Sequence, residues 1–476
     1  MSAQVAVANQ ATHKNEDFHF VSLEGDVAES ADDKPLQPMI FSVFDGHGGK
    51  TAALNCMRDI SARLLQSGPA GWSDKAISNA FWEADIALGS DGVTDGTTAT
   101  CLLVEQPKAG GPLRCTLAWV GDSAAVHADL LAPSGRECMV HSTALHSPTN
   151  PDEVSRIETL IAVRKSVHRN WEWVIRELLI VEGKRLFGKG SAGSWSARTR
   201  RAVLAAALAY RQITAALRTA LGREPSSDEV QLYMRILHRE LLMCIAGHAA
   251  DAKSLASMAG PARVRRSGTE LQLSNDLAAA AERLEARGGA RSVASETSMG
   301  SSSSLQRSGT RRSSTISKRF GDHGPLSLKS SVENVYEANG KGGSDSPTPT
   351  RVHVTEGPST LVTRSIGDWD ASRACIPQPE LLRFEIAAGA RARIAIASDG
   401  LWDFASVARA AEMIHGMRSA KASADKLLRH AVLKSNQKFN QLKDDTTVVV
   451  VDLDCRDAAA RAADKPPSSS ACCNVQ

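Results

Sequence analysis

Apolar positions in the first third of the chain fall in short runs closed by Gly and Asp turns. Met39–Phe44 is a run of β-formers ending at Asp45-Gly46. Thr97–Val104, Leu113–Val120 and Ala124–Ala128 repeat the arrangement and predict further strands. Between them, Lys50–Leu65 carries Ala52, Ala53, Cys56, Met57 and Ile60 roughly on one face, which predicts a helix. The period then changes. Segments 166–187 and 198–220 are helical in pattern, the first with Trp171, Val174, Leu178 and Val181 on one stripe. A third helix is expected over 227–246, opened by a capping-box pair, Ser226 and Glu229. Residues 289–350 are rich in Ser, Gly, Thr and Arg, too poor in apolar residues to offset the entropy of ordering, and are expected to be disordered. Strand character returns at Arg393–Ala397 and Thr446–Leu453, with helices expected near Val407–Met417 and Ser423–Leu433. The tail from Asp457 is polar.

Length and charge sharpen this division. A chain of 476 residues with a 42% hydrophobic fraction can bury a sizeable core in one to three domains. Its net charge of +3 conceals an asymmetry: residues 158–350 hold 29 Lys and Arg against 18 Asp and Glu, so the remainder is acidic. None of the nine cysteines forms a Cys-x-x-Cys pair, which argues against zinc fingers and a disulfide framework and favours a reducing compartment. The first residues, MSAQVAVANQ, lack a basic and apolar leader and a Gly at position 2, so neither a signal peptide nor myristoylation is expected. No apolar stretch is long enough to predict a membrane span.

Four Asp-bearing turns carry the candidate chemistry: Asp45-Gly46-His47-Gly48-Gly49, Gly121-Asp122-Ser123, Ser398-Asp399-Gly400 and Asp444-Asp445. Three follow an apolar strand and the fourth precedes one, so each places a carboxylate at a sheet rim. Glu16-Asp17 adds a further acidic pair. Gathering carboxylates in one place is unfavourable unless cations neutralise them. Oxygen donors without Cys or clustered His favour hard cations such as Mg²⁺ or Mn²⁺ over Zn²⁺.

The order of these pieces resembles the type 2C (PPM-type) family of metal-dependent protein serine/threonine phosphatases. The resemblance rests on Asn15-Glu16-Asp17, Val43-Phe44-Asp45-Gly46-His47-Gly48-Gly49, Asp95-Gly96-Thr97-Thr98-Ala99 and Val120-Gly121-Asp122-Ser123. It continues through Thr363-Arg364-Ser365-Ile366-Gly367-Asp368, Ala397-Ser398-Asp399-Gly400-Leu401-Trp402-Asp403 and Asp444-Asp445-Thr446-Thr447. It implies an α+β fold: a four-layer αββα sandwich of two antiparallel β-sheets flanked by helices, here with a large helical and disordered insertion. It also implies two or three Mg²⁺ or Mn²⁺ ions per catalytic site. Asp45 would bridge two metals and the Gly46 carbonyl would bind one. Glu16, Asp399 and Asp444 would hold the second, and Asp122 and Asp403, with Asp399, a weaker third. A water activated by the metal pair would attack phosphorus in line, and His47 would protonate the departing Ser or Thr oxygen.

The chain departs from the family pattern beside the site. Thr12 stands where the family has a phosphate-gripping Arg, Ala124 follows Asp122-Ser123 where Arg is usual, and Thr143-Ala144-Leu145-His146 lacks the family Asp. Thr12 suggests weak phosphate binding, the other two changes bear on substrate preference, and together they raise an alternative, a catalytically weak pseudophosphatase acting as a phosphoprotein-binding or regulatory scaffold. The retained carboxylates favour the enzyme.

The domain reading places the catalytic domain in two parts, 1–157 and 351–455. Between them come a basic helical insertion, 158–288, and a Ser/Arg-rich linker, 289–350; a flexible tail, 456–476, follows. The insertion is read as a helical decoration on a tether, with regulation or docking as its functional alternative. Arg265-Arg266-Ser267 and Arg311-Arg312-Ser313-Ser314 have the form of basophilic kinase sites. The terminal Cys473-Asn474-Val475-Gln476 fits a prenylation pattern, a route to membrane attachment through Cys473. The expected partners are phosphorylated protein substrates, with no nucleic acid, on a monomeric chain. The expected setting is the cytoplasm, at membranes where Cys473 is lipidated, with the nucleus left open.

Overall fold

The computed structural model describes residues 2–23, 27–29, 36–163, 209–236, 239, 336–337, 351–352, 360–369, 374–457 and 460–461. In chain order the first strands are β1 (Ser2–Gln10), β2 (Asp17–Val21), β3 (Val27–Glu29) and β4 (Met39–His47). Helices α1 (Thr51–Ser67) and α2 (Asp74–Ser90) follow. Next come β5 (Gly96–Thr97), β6 (Ala99–Glu105), β7 (Leu113–Val120), β8 (Ala124–Asp129) and β9 (Met139–Ser142). Residues 151–163, 209–221 and 227–236 are helical (α3, α4 and α5), and Arg239 is helical as well. A two-strand ladder joins β10 (Tyr336–Glu337) to β11 (Arg351–Val352). The chain continues with β12 (Ile366–Gly367), β13 (Glu380–Ile386), β14 (Arg391–Ala397), α6 (Asp399–Trp402), α7 (Val407–His415), α8 (Ala420–Phe439) and β15 (Thr446–Asp454).

Two sheets, antiparallel in every pairing, form the centre. One runs β3-β1-β15-β14-β8-β9; the other runs β12-β5-β4-β6-β7-β13, with β2 also paired to β4. Phe41, Val43, Leu102 and Leu117 of the second sheet meet Ile394, Ile396, Val449 and Val451 of the first in one buried cluster. The intervening positions face outward and are covered too. Ile40 and Phe44 pack under α1 and α2 with Ile60, Ile77 and Phe81. Ala395, Ala397, Val448 and Val450 pack under α6, α7 and α8. The layers are therefore helix, sheet, sheet, helix, as the resemblance implied. Coverage on both faces explains why β15 reads Thr446-Thr447-Val448-Val449-Val450-Val451 without polar alternation. Each such side chain taken fully from water contributes about 1.5–3 kcal/mol.

The expected elements lie close to those observed, with three differences of substance. The strand expected over Thr97–Val104 divides at Thr98, because β5 and β6 pair with different parts of β4. The helix expected over Ser423–Leu433 runs from Ala420 to Phe439, capped by Ser419, whose hydroxyl accepts from the Ala422 amide at 3.2 Å, and closed by left-handed Asn440. Helix α3 runs through residue 157, the expected end of the first catalytic segment. Among the described residues no helix is long and apolar enough to cross a membrane. The helix expected over 166–187, both kinase-type sites and Cys473 lie outside the described residues, as do residues 198–208 and all of 289–350 except 336–337.

Candidate active site

Antiparallel connectivity brings alternate strand ends to one rim of the sandwich. β2 starts there and β4 ends there, so Asp17 and Asp45 are direct register partners. β8 starts and β14 ends there, with Ala124 opposite Ala397. That places Asp122 just before one strand and Asp399 just after the other. β15 enters at the same rim, immediately after Asp444 and Asp445.

Four of the carboxylates named from sequence converge electrostatically. Burial, then the charges of Asp399, Asp17, Asp122 and Asp444, hold the Asp45 carboxyl well above the ordinary range. Asp399 is likewise raised by burial and by Asp122, Asp403 and Asp444, and Asp122 by burial and by Asp403 and Asp444. Each of these groups is only half-buried, open to solvent on one side. Glu16 sits in the entering loop beside Asp444 and Asp445, with Lys14, and burial leads its upward shift. Two lysines reach in from the rim. Lys14 Nζ donates to Asp444 Oδ1 at 3.0 Å, and Lys443 Nζ donates to Asp403.

Asp17 follows Glu16 in sequence, and the motif pattern alone assigns it no role. Its Oδ2 accepts from Ser398 Oγ at 2.7 Å, tying the two sheets together, while its buried Oδ1 has no hydrogen-bond partner among the described residues. Burial is the main cause that pushes its carboxyl up to about 6. A cluster of mutually repelling oxygens with an orphaned acceptor is a donor set that fits hard divalent cations.

His47 ends β4. Both Asp368 oxygens lie 2.9 Å from its Nε2. Burial alone would lower the imidazole, but the charge and hydrogen bond of Asp368 outweigh it and the net shift is upward. Asp368 also accepts from Ser365 Oγ. Nδ1 of His47 has no hydrogen-bond partner among the described residues. Asp368 closes the motif Thr363-Arg364-Ser365-Ile366-Gly367-Asp368, and its role is visible only through this contact.

The backbone is shaped for these approaches. A Cβ on Gly46 would lie 2.8 Å from the Glu16 carbonyl oxygen, and one on Gly96 would lie 2.5 Å from the Asp368 carboxylate. Asp95 Oδ2 accepts the Thr51 and Ala52 amides at 2.7 and 3.0 Å, capping α1 and fixing the glycine turn.

The departures at the site also acquire positions. Thr12 is engaged: its amide and hydroxyl both donate to Asp445 Oδ1, the hydroxyl at 2.7 Å, while the Glu16 amide donates to Asp445 Oδ2 at 2.6 Å. Asp445 therefore organises the entering loop. Ala124 is fully buried. His146 accepts the Gly121 amide at 3.1 Å through Nδ1, bracing the turn before Asp122. The His146, Glu153 and Glu380 trio also gathers potential ligand atoms, but Arg156 and Arg364 already pair with Glu153, at 2.9 and 2.6 Å. Those guanidiniums hold Glu153 well below the ordinary range despite its burial, so two cations are already supplied there.

A family model described as Protein phosphatase 2C matches residues 3–164 and 358–438, just over half of the chain. The chain belongs to the protein phosphatase 2C family. Its two matched segments are separated by residues 165–357. Among similar curated proteins are the rice (Oryza sativa subsp. japonica) Probable protein phosphatase 2C 33, 37% identical over 109 residues, 23% of each chain, and Probable protein phosphatase 2C 69, 37% identical over 31% of this chain and 34% of the relative. Probable protein phosphatase 2C 5 of Arabidopsis thaliana is 40% identical over 19% of this chain and 20% of its own. The chain thus spans about a fifth to a third of the length of these relatives. Among solved structures, serine-threonine phosphatase 2C from Toxoplasma gondii aligns with a TM-score of 0.42 and 14% identity over 95% of both chains.

Proposed function

We propose that this 2C-family chain hydrolyses phosphoserine and phosphothreonine in proteins, using divalent cations held at the carboxylate rim. The observation that carries this reading is the convergence of Asp45, Asp122, Asp399 and Asp444 at one rim, where burial first and the neighbouring negative charges second raise the carboxyls of Asp45, Asp122 and Asp399 above the ordinary range. Such an arrangement opposes folding unless it binds cations, so its retention points to use. Asp45, the Gly46 carbonyl, Glu16, Asp399 and Asp444 would hold two ions, and Asp122 and Asp403 with Asp399 a third. When bound, Mg²⁺ or Mn²⁺ would supply an acidified water and offset phosphate charge.

The protein's own groups do the rest. His47, held by Asp368 through Nε2, keeps a proton available at Nδ1 for the alkoxide that leaves as the phosphate ester breaks. Asp368 orients the ring and stabilises its charged form. Lys14, at the rim, is placed to meet a phosphate oxygen once Asp444 is neutralised, in the role Thr12 cannot fill while it is bound to Asp445. A Lys offers a point charge rather than a bidentate fork, so phosphate binding is weak. Phosphate release from a phosphoserine peptide with Mn²⁺, with Mg²⁺ and with a chelator tests the proposal. Turnover that needs the cation supports it. No turnover with either metal by folded protein overturns it and favours the scaffold.

A further inference from the structure

The loop that carries Asp368 is not held by the catalytic segments alone. Gly367 and Asp368 take successive positive φ angles, +95° and +53°. The left-handed region is unfavourable for a non-glycine residue, so this turn needs outside support. One support is Asp85 of α2, whose Oδ1 accepts the Gly367 amide at 2.9 Å. The other comes from the inserted region. Arg239, 2% exposed at its side chain, donates through Nη2 to the Gly367 carbonyl at 2.6 Å and through Nε to Asp85 Oδ2 at 2.8 Å. Its Nη1 reaches the Cys375 carbonyl at 3.2 Å, and the guanidinium lies 5.3 Å from the Trp369 ring centre. Both backbone groups of Gly367 are thus fixed by one buried ion pair, and the next residue is the partner of His47.

We infer that Arg239 is a positioning residue for leaving-group protonation, so that the insert completes the general-acid arrangement rather than decorating the fold. This deepens the phosphatase reading and rests on it. Without Arg239 the Gly367 carbonyl loses its charged donor, the strained turn relaxes, and Asp368 no longer holds His47 in register. Arg235, four residues earlier in sequence, donates to Asn79 Oδ1 at 2.7 Å and to Ser78 Oγ at 3.4 Å, both in α2.

The test compares full-length wild type, Arg239→Met, the Asp85→Asn/Arg239→Met double variant and Arg235→Met. Each is assayed with Mn²⁺ on a phosphoserine peptide, whose alkoxide needs a proton to leave, and on p-nitrophenyl phosphate, whose phenolate does not. The double variant removes the buried unpaired charge, so it separates folding from positioning. Arg239→Met and the double variant should lose about tenfold or more in kcat on the peptide and less than about twofold on the aryl ester. Arg235→Met should keep the wild-type ratio. Hydrogen exchange over residues 363–369 should speed up in both Arg239 variants. A double variant with the wild-type substrate ratio overturns the inference, because Arg239 would then only neutralise Asp85. If wild type hydrolyses neither substrate, the phosphatase reading falls, and unchanged exchange over 363–369 in Arg239→Met overturns the positional claim by itself.

Discussion

Asp368 and His47, 321 residues apart in sequence, meet with both carboxylate oxygens 2.9 Å from Nε2. The pair divides labour within the site. The carboxylates around Asp45 gather cations, and the His47–Asp368 pair manages the proton. His47 must carry that proton to act as an acid, so activity falls as pH rises through its pKa. Burial works against the charged ring, and Asp368 more than compensates. Asp368→Asn should therefore move the alkaline limb of the pH–rate profile to lower pH. It should also lower kcat on a phosphoserine peptide by about 10- to 100-fold, with little change on an aryl phosphate.

Gly96→Ala should reproduce much of that effect from the opposite side. The added Cβ would fall 2.5 Å from the Asp368 carboxylate, so the side chain or the turn must move. Overpacking of this kind costs about 1–3 kcal/mol. Thermal unfolding should show the loss, and the peptide-to-aryl-ester ratio should fall in parallel.

Phosphate grip is where the resemblance implies a departure, with Thr12 in place of an expected Arg. Thr12 is tied to Asp445, and Lys14, in the entering loop, donates to Asp444. Lys14→Ala should raise KM for a phosphopeptide several-fold with little change in kcat. Thr12→Arg should lower KM, since a guanidinium pairs with phosphate through two donors. Steady-state kinetics at fixed Mn²⁺ measures both; an unchanged KM in Thr12→Arg would show that phosphate is gripped elsewhere.

The acidic rim also sets a pH dependence for the cation-free protein. Asp17 is pushed up to about 6, chiefly by burial, from an ordinary value of 3.8. The folded state then holds a proton that the unfolded chain releases. Its contribution to stability is full below about 4 and is lost as pH rises through about 6. Without metal, Asp17→Asn should be more stable than wild type at pH 7 by on the order of 1–2 kcal/mol, and equal to it near pH 4. Mg²⁺ or Mn²⁺ should raise the wild-type Tm at pH 7 and narrow the difference. Calorimetry with and without chelator reads both.

Much of this was legible from local pattern. β4, β14 and β15 are apolar runs covered on both faces, and each delivers its Asp turn to the same rim. β1 (SAQVAVANQ) is built on small residues, and β13 (ELLRFEI) is an edge strand with charges between its apolar positions; neither stands out from its neighbours. Helix α2 carries a stripe of Ile77, Phe81, Ala84 and Leu88, yet its main significance, the Asp85 contact with Arg239, spans 154 residues. Asp17, Asp368, Asp445 and Arg239 act through partners distant in sequence, so no spacing rule could assign them. The family motif pointed at Glu16 and His47 themselves; only the fold shows what holds each in place.

The central claim is that the Asp45 cluster binds divalent cations for phosphoester hydrolysis. The direct measurement is calorimetric titration of Mn²⁺ into wild type and Asp45→Asn, paired with turnover of a phosphoserine peptide and with circular dichroism to confirm folding. The account predicts saturable Mn²⁺ binding and metal-dependent turnover in wild type. In Asp45→Asn it predicts a folded protein with weakened binding and a loss of turnover of about 100-fold or more. A folded Asp45→Asn variant with full binding and full turnover would contradict it.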